Sequence, residues 1–149
     1  MACPFFYPVE RFPESAWPKH PRLPLGDPYS GCCRAGASGE WNPDPSSLRE
    51  VCNMGYARGR CPRFPESGGP DAYRFSIVTD IGGTLTVFYV AERAHYPLQS
   101  GMVEYSSGTD RFSHSIEGDT FQKQARAYIE SYLRRKNEPE DEAHHPHRR

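Results

Sequence analysis

Five cysteines lie within the first 61 residues of the chain, and the remaining 88 residues contain none. They are Cys3, the adjacent pair Cys32 and Cys33, Cys52 and Cys61. If the adjacent pair supplies one ligand, four thiolates are available, the number that a structural zinc ion or an iron–sulfur cluster requires. The clustering therefore predicts a four-cysteine metal centre, with the choice between Cys32 and Cys33 left open.

A disulfide framework is the first alternative to a metal centre. Five thiols cannot all pair within one chain. Residues 1–8 lack the basic leader and apolar run of a signal peptide, and no stretch approaches the roughly 20 apolar residues that span a bilayer. We therefore expect a cytoplasmic protein without membrane association, in which the thiols stay reduced.

The spacing of the cysteines bears on the choice of metal. Zinc ribbons usually present their ligands as C-x2-C or C-x4-C pairs, and no such pair occurs here. Cys3 and Cys61 are each followed by proline, which resembles the Cys-Pro end of ferredoxin motifs. We predict a 4Fe–4S cluster, with zinc as the alternative cofactor and buried thiols without metal as the remaining interpretation.

Four arginines accompany the later cysteines in the sequence. They are Arg49, Arg58, Arg60 and Arg63. Because four thiolates give a metal site a net negative charge, we predict that these cations help to bind the cofactor. The alternative is that they are ordinary solvated side chains.

The segment from Cys52 to Arg58 fits the pattern C-x5-R. This resembles the signature loop of cysteine-dependent phosphatases, in which a low-pKa thiolate attacks phosphorus and the arginine holds its oxygens. The resemblance implies a thiol-dependent enzyme as a third functional reading. No set of base, nucleophile and oxyanion donors can be assembled elsewhere in the sequence, so enzyme activity is not expected.

Regular structure is predicted in residues 71–136. Apolar and polar residues alternate over 73–78 and 84–91 on either side of Asp80–Gly83, which is typical of a β-hairpin. Its second strand is apolar on both faces at 87–90, which indicates a central strand covered on each side.

Three further elements complete the predicted regular structure. Short strands are predicted at 102–105 and 111–114. A capping box of Asp119 and Gln122 then predicts the start of a helix that continues to about Arg135.

The first 70 residues hold 12 of the 15 prolines and show little periodicity. Their one supported helix begins at a Ser47–Glu50 capping box and ends before Gly55, which places Cys52 in its last turn. Such a segment has few means to offset its ordering entropy, so we expect it to be irregular and stapled by metal.

Together these patterns predict an α+β protein, with a small antiparallel sheet and a C-terminal helix after the Pro/Cys-rich segment. Residues 1–136 form the single predicted domain, and 137–149 a disordered tail. The net charge of -1 gives no strong nucleic-acid signal. We expect a redox-sensing or accessory binding module that acts on an unknown protein partner, or alternatively a zinc-stabilised interaction module without a redox role.

Overall fold

The architecture is α+β, with two antiparallel sheets and a C-terminal helix. It is seen in a computed structural model that describes residues 2–12, 24–25, 27–35, 41–65, 69–113 and 118–137. Residues 138–149 of the predicted tail lie outside this range, whereas Asn137 caps the final helix. In the described residues, no helix is long and apolar enough to cross a membrane.

The first sheet corrects the expectation that the N-terminal segment is irregular apart from one short helix. Strand β1 (Phe6–Arg11) pairs antiparallel with β2 (Tyr29–Cys33), and Phe6 lies opposite Cys33. A Cβ at Gly31 would stand 2.1 Å from the carbonyl oxygen of Tyr7, so only glycine allows the two strands to approach this closely. Gly31 and a proline in β1 are unusual inside strands, so neither strand could be predicted from the sequence.

The predicted helix around Cys52 exists but begins earlier. Helix α1 (Pro45–Ser47) continues directly as a π-helical turn, Leu48–Cys52. Asp44 caps it by accepting a 3.1 Å hydrogen bond from the Ser47 amide, so the predicted Ser47 cap is wrong by one turn. Cys52 does occupy the last turn.

The second sheet has the strand order β3-β4-β5-β6 and is larger than predicted. Its strands are β3 (Ala72–Ile81), β4 (Thr84–Arg93), β5 (Tyr96–Ser106) and β6 (Arg111–Phe112). The predicted hairpin is confirmed as β3 and β4, and its two turn glycines have positive φ angles of 59° and 85°. β5 is more than twice as long as predicted, and β4 lies inside the sheet between β3 and β5, as its apolar pattern predicts.

Helix α2 (Asp119–Lys136) packs against one face of the second sheet. Phe121 makes edge-on or tilted ring contacts with Tyr73, Phe75 and Tyr89 at centroid distances of 4.8–5.6 Å. The cap is Gly118, which makes no side-chain capping bond, so the predicted capping box is wrong. Asp119 is already helical, at the end where the helix dipole favours a carboxylate.

A single hydrophobic core unites the two halves of the chain. Its buried residues include Phe6, Leu48 and Val51 from the first half together with Val87 and Ile129 from the second. Tyr29 ties β2 to α2, because its hydroxyl donates to the Ala127 carbonyl at 3.0 Å and lies 2.9 Å from the Ser131 hydroxyl. The two zones of the sequence therefore form one packed body within the described residues.

Candidate metal centre

Four of the five cysteines line one small cavity of about 20 Å³. They are Cys3, Cys33, Cys52 and Cys61. The other lining residues are apolar or aromatic: Phe5, Phe6, Ala35, Trp41, Val51, Ala57 and Phe64. The chain thus brings together thiols from four separate segments, the most distant of which are 58 positions apart in the sequence.

The adjacent pair divides between two environments. Successive side chains of a strand point to opposite faces, and of the two thiols only Cys33 is among the residues that line the cavity. Two backbone hydrogen bonds with Trp41, of 2.7 and 3.0 Å, fix Cys33 at the end of β2. The Ala35 amide donates to the Cys33 sulfur at 3.4 Å.

Cys3 and Cys52 are joined through their backbones. The Cys3 amide donates to the Cys52 carbonyl at 3.1 Å, which connects the N-terminal segment to the end of the π-helical turn. The Phe6 amide donates a 3.0 Å hydrogen bond to the Cys3 carbonyl, which closes a turn that begins at Cys3. Both thiols are therefore held by backbone as well as by packing.

Cys61 lies on a turn and is the only half-buried cysteine of the five. Its amide donates to the Ala57 carbonyl at 2.8 Å, and its carbonyl accepts from the Phe64 amide at 3.0 Å. The loop between Cys52 and Cys61 is anchored to the second sheet and to the residue that precedes it, Asp71. Arg58 pairs with Asp71 at 2.6 Å, and the Tyr56 hydroxyl donates to Glu92 at 2.8 Å.

The predicted arginines occupy two kinds of position. Arg58 and Arg63 lie 4.8 and 4.7 Å from the ring centroids of Phe64 and Trp41, two of the aromatic walls of the cavity. Arg49 and Arg60 are exposed. The aromatic walls and the anchoring carboxylates carry no sequence motif, and only the structure identifies them as part of the site.

Two of the buried thiols, Cys3 and Cys52, have raised pKa values. Burial, aided by nearby thiolate charge at Cys33 and Cys61 and opposed by the backbone amides of Phe5 and Phe6, raises the pKa of Cys3 from 9.0 to about 12. The pKa of Cys52 is also raised, again mainly by burial. A phosphatase nucleophile needs the opposite shift, and the guanidinium of Arg58 already bonds Asp71, so this geometry disfavours the C-x5-R reading.

Among the described residues, no group of three or more His, Cys, Asp or Glu side chains is arranged to hold a single metal ion. None of the five cysteines, all of which lie in described segments, forms a disulfide. The assignment of the cysteines and arginines as cofactor ligands stays a prediction.

Alkali should destabilise the metal-free protein. Below pH 9 the Cys3 thiol is protonated in both the folded and unfolded states, so its contribution to stability is fully present. Between pH 9 and about 12 the unfolded thiol loses its proton while the folded one keeps it, so stability falls with rising pH. Urea unfolding across this range should show a shallower decline for Cys3→Ala, and equal slopes would contradict the buried protonated thiol.

Comparisons of the chain with protein-family models, with curated proteins and with solved structures return no match. The geometry of the cysteine cavity is therefore the basis for inferring its function.

Proposed function

We propose that this protein binds a 4Fe–4S cluster through Cys3, Cys33, Cys52 and Cys61, and that it serves as a redox-sensing or accessory binding module. One observation carries the proposal: four thiols from distant segments line the same apolar cavity. Four thiolates are the ligand set that such a cluster takes.

The cavity has room for one water-sized occupant, so either metal would require the four thiols to move. A space that admits a water-sized sphere of about 1.4 Å radius keeps the surrounding sulfur nuclei roughly 3.2 Å from its centre. Zinc binds sulfur at about 2.3 Å, so all four thiols would have to move inward by roughly 1 Å. A 4Fe–4S cluster contains eight heavy atoms, so the same four cysteines would hold it only after moving outward.

The walls of the cavity suit a redox centre. Aromatic and aliphatic side chains exclude water, and the hydrogen bond from the Ala35 amide to the Cys33 sulfur would stabilise a thiolate. Because Cys61 is the most accessible of the four lining thiols, its side of the site offers the shortest route for an electron to or from a protein partner. No group in this arrangement supplies substrate chemistry, so the proposal does not include catalysis.

Zinc is the second candidate, in a stabilising role without redox chemistry. The cavity volume of about 20 Å³ is close to that of a single small occupant. A zinc ion would fill it after the inward movement described above, and the centre would then serve only the fold of an interaction module.

Metal analysis of protein purified without oxygen tests the proposal. A cluster predicts brown protein that contains iron and inorganic sulfide in equal amounts, with iron released on exposure to air. Zinc at one equivalent per chain would support the second candidate instead. Protein that contains neither metal, even after reconstitution with iron and sulfide under reducing conditions, would overturn both.

A further inference from the structure

A second and larger cavity, which we call the α2 cleft, lies between the first sheet and helix α2. Its volume is about 210 Å³, and its walls include Val9 and Arg11 from β1, Asp27 just before β2, and Glu130 and Arg134 from α2. None of the described residues that line it also lines the cysteine cavity. The volume corresponds to that of roughly seven water molecules, which suits a small organic molecule.

Asp27 brings a buried charge to the α2 cleft. The residue is only 4% exposed, and its Oδ1 accepts hydrogen bonds from Arg134 at 2.6 Å and from Arg135 at 3.1 Å. Its Oδ2 is buried and accepts no hydrogen bond from any described residue. Because a buried acceptor without a donor is unfavourable, one half of this carboxylate is available to a donor on a ligand.

Two exposed charges of opposite sign also line the α2 cleft. They are Arg11 on β1 and Glu130 on α2. Neither side chain forms a hydrogen bond or an ion pair with another described residue, so the two charges do not neutralise each other. An anion would be attracted by Arg11 and repelled by Glu130, and a cation would experience the reverse. A molecule that carries both signs can satisfy both residues.

We propose that the α2 cleft binds a free aliphatic α-amino acid. The ammonium group donates to Asp27 Oδ2 and to Glu130, and the carboxylate accepts from the guanidinium of Arg11, whose paired donors match its geometry. The aliphatic side chain packs against Val9, which is 58% exposed when the cleft is empty. The cleft is separate from the cysteine cavity, so this inference does not depend on the proposed cluster.

Calorimetric titration of the full chain with three related ligands tests the proposal. L-Leucine carries both charges, L-leucinamide lacks the carboxylate, and N-acetyl-L-leucine lacks the ammonium group. L-Leucine should bind with one molecule per chain. Each analogue should bind at least tenfold more weakly, because each leaves one charge of the cleft unpaired.

Two variants assign the binding to the cleft. Arg11→Gln and Glu130→Gln each remove one charge at an exposed position, so both should fold and both should bind L-leucine at least tenfold more weakly. Arg11→Gln should also lose the preference for L-leucine over L-leucinamide, because the partner of the carboxylate is gone. Arg111→Gln and Glu104→Gln make the same changes of charge at exposed positions outside the cleft, and both should keep the wild-type affinity.

Four results would overturn the inference. The first is the absence of saturable binding of L-leucine at millimolar concentration. The second and third are binding of L-leucinamide or of N-acetyl-L-leucine as tight as that of L-leucine, which would show a site for a simple cation or a simple anion. The fourth is an equal loss of affinity in the control variants, which would place the binding elsewhere on the protein. All four would leave the proposed metal centre unaffected.

Discussion

Cys33→Ser should abolish stoichiometric metal binding, because it removes one of the four thiols that line the cavity. Three thiolates with a neutral hydroxyl give a much weaker site than four thiolates. Where metal binding contributes to folding, its loss should also lower the free energy of unfolding by more than the change of side chain alone. The measurements are iron, sulfide and zinc content and urea unfolding after anaerobic purification.

The neighbouring residue supplies the control for this substitution. Cys32 and Cys33 are equally buried, each 8% exposed, and they occupy consecutive positions on β2. A buried serine hydroxyl should cost about 1–3 kcal/mol at either position. Cys32→Ser should therefore lose stability in that range and keep its metal.

Equal metal contents in the two variants would contradict the assignment of Cys33. Loss of metal from Cys32→Ser alone would exchange the roles of the pair. It would also mean that β2 turns its opposite face to the cavity in the loaded protein.

The same pair shows where reasoning from the sequence ends. Both thiols were candidates, because the choice depends on which face of a strand each side chain occupies. Strand β2 could not be predicted, since Gly31 and the proline in β1 interrupt the usual strand pattern. The β3–β4 hairpin could be predicted because it has regular alternation and two glycines at its turn. The side chain of Gln124 is fully buried and donates to the backbone carbonyls of Cys3 and Phe6. Nothing in the sequence indicated this, since a glutamine in an amphipathic helix normally faces water.

The hydrophobic core joins the Pro/Cys-rich segment to the sheet and helix that follow it. Composition separates the two zones at about residue 70, but the core does not. Phe6 and Val51 belong to the same buried cluster as Val87 and Ile129, and long-range packing of this kind leaves no trace in local periodicity. If the proposed metal is bound, removing it should therefore loosen α2 as well as the first 70 residues.

Ile129→Ala should destabilise both halves of the protein together. Ile129 is fully buried in the shared core, and replacing a buried isoleucine by alanine costs about 2–5 kcal/mol. Ile81 is the matched control, because it is 72% exposed at the end of β3, and Ile81→Ala should change stability by about 1 kcal/mol or less.

Two spectroscopic probes test whether the two halves of the protein lose stability together. In a Trp17→Phe background, Trp41 fluorescence reports on the wall of the cysteine cavity, while far-UV circular dichroism reports mainly on the second sheet and α2. If one core holds both halves, urea transitions followed by the two probes should coincide and move together in Ile129→Ala. A circular dichroism transition that moves while the fluorescence transition stays in place would show that the cysteine cavity folds independently of α2.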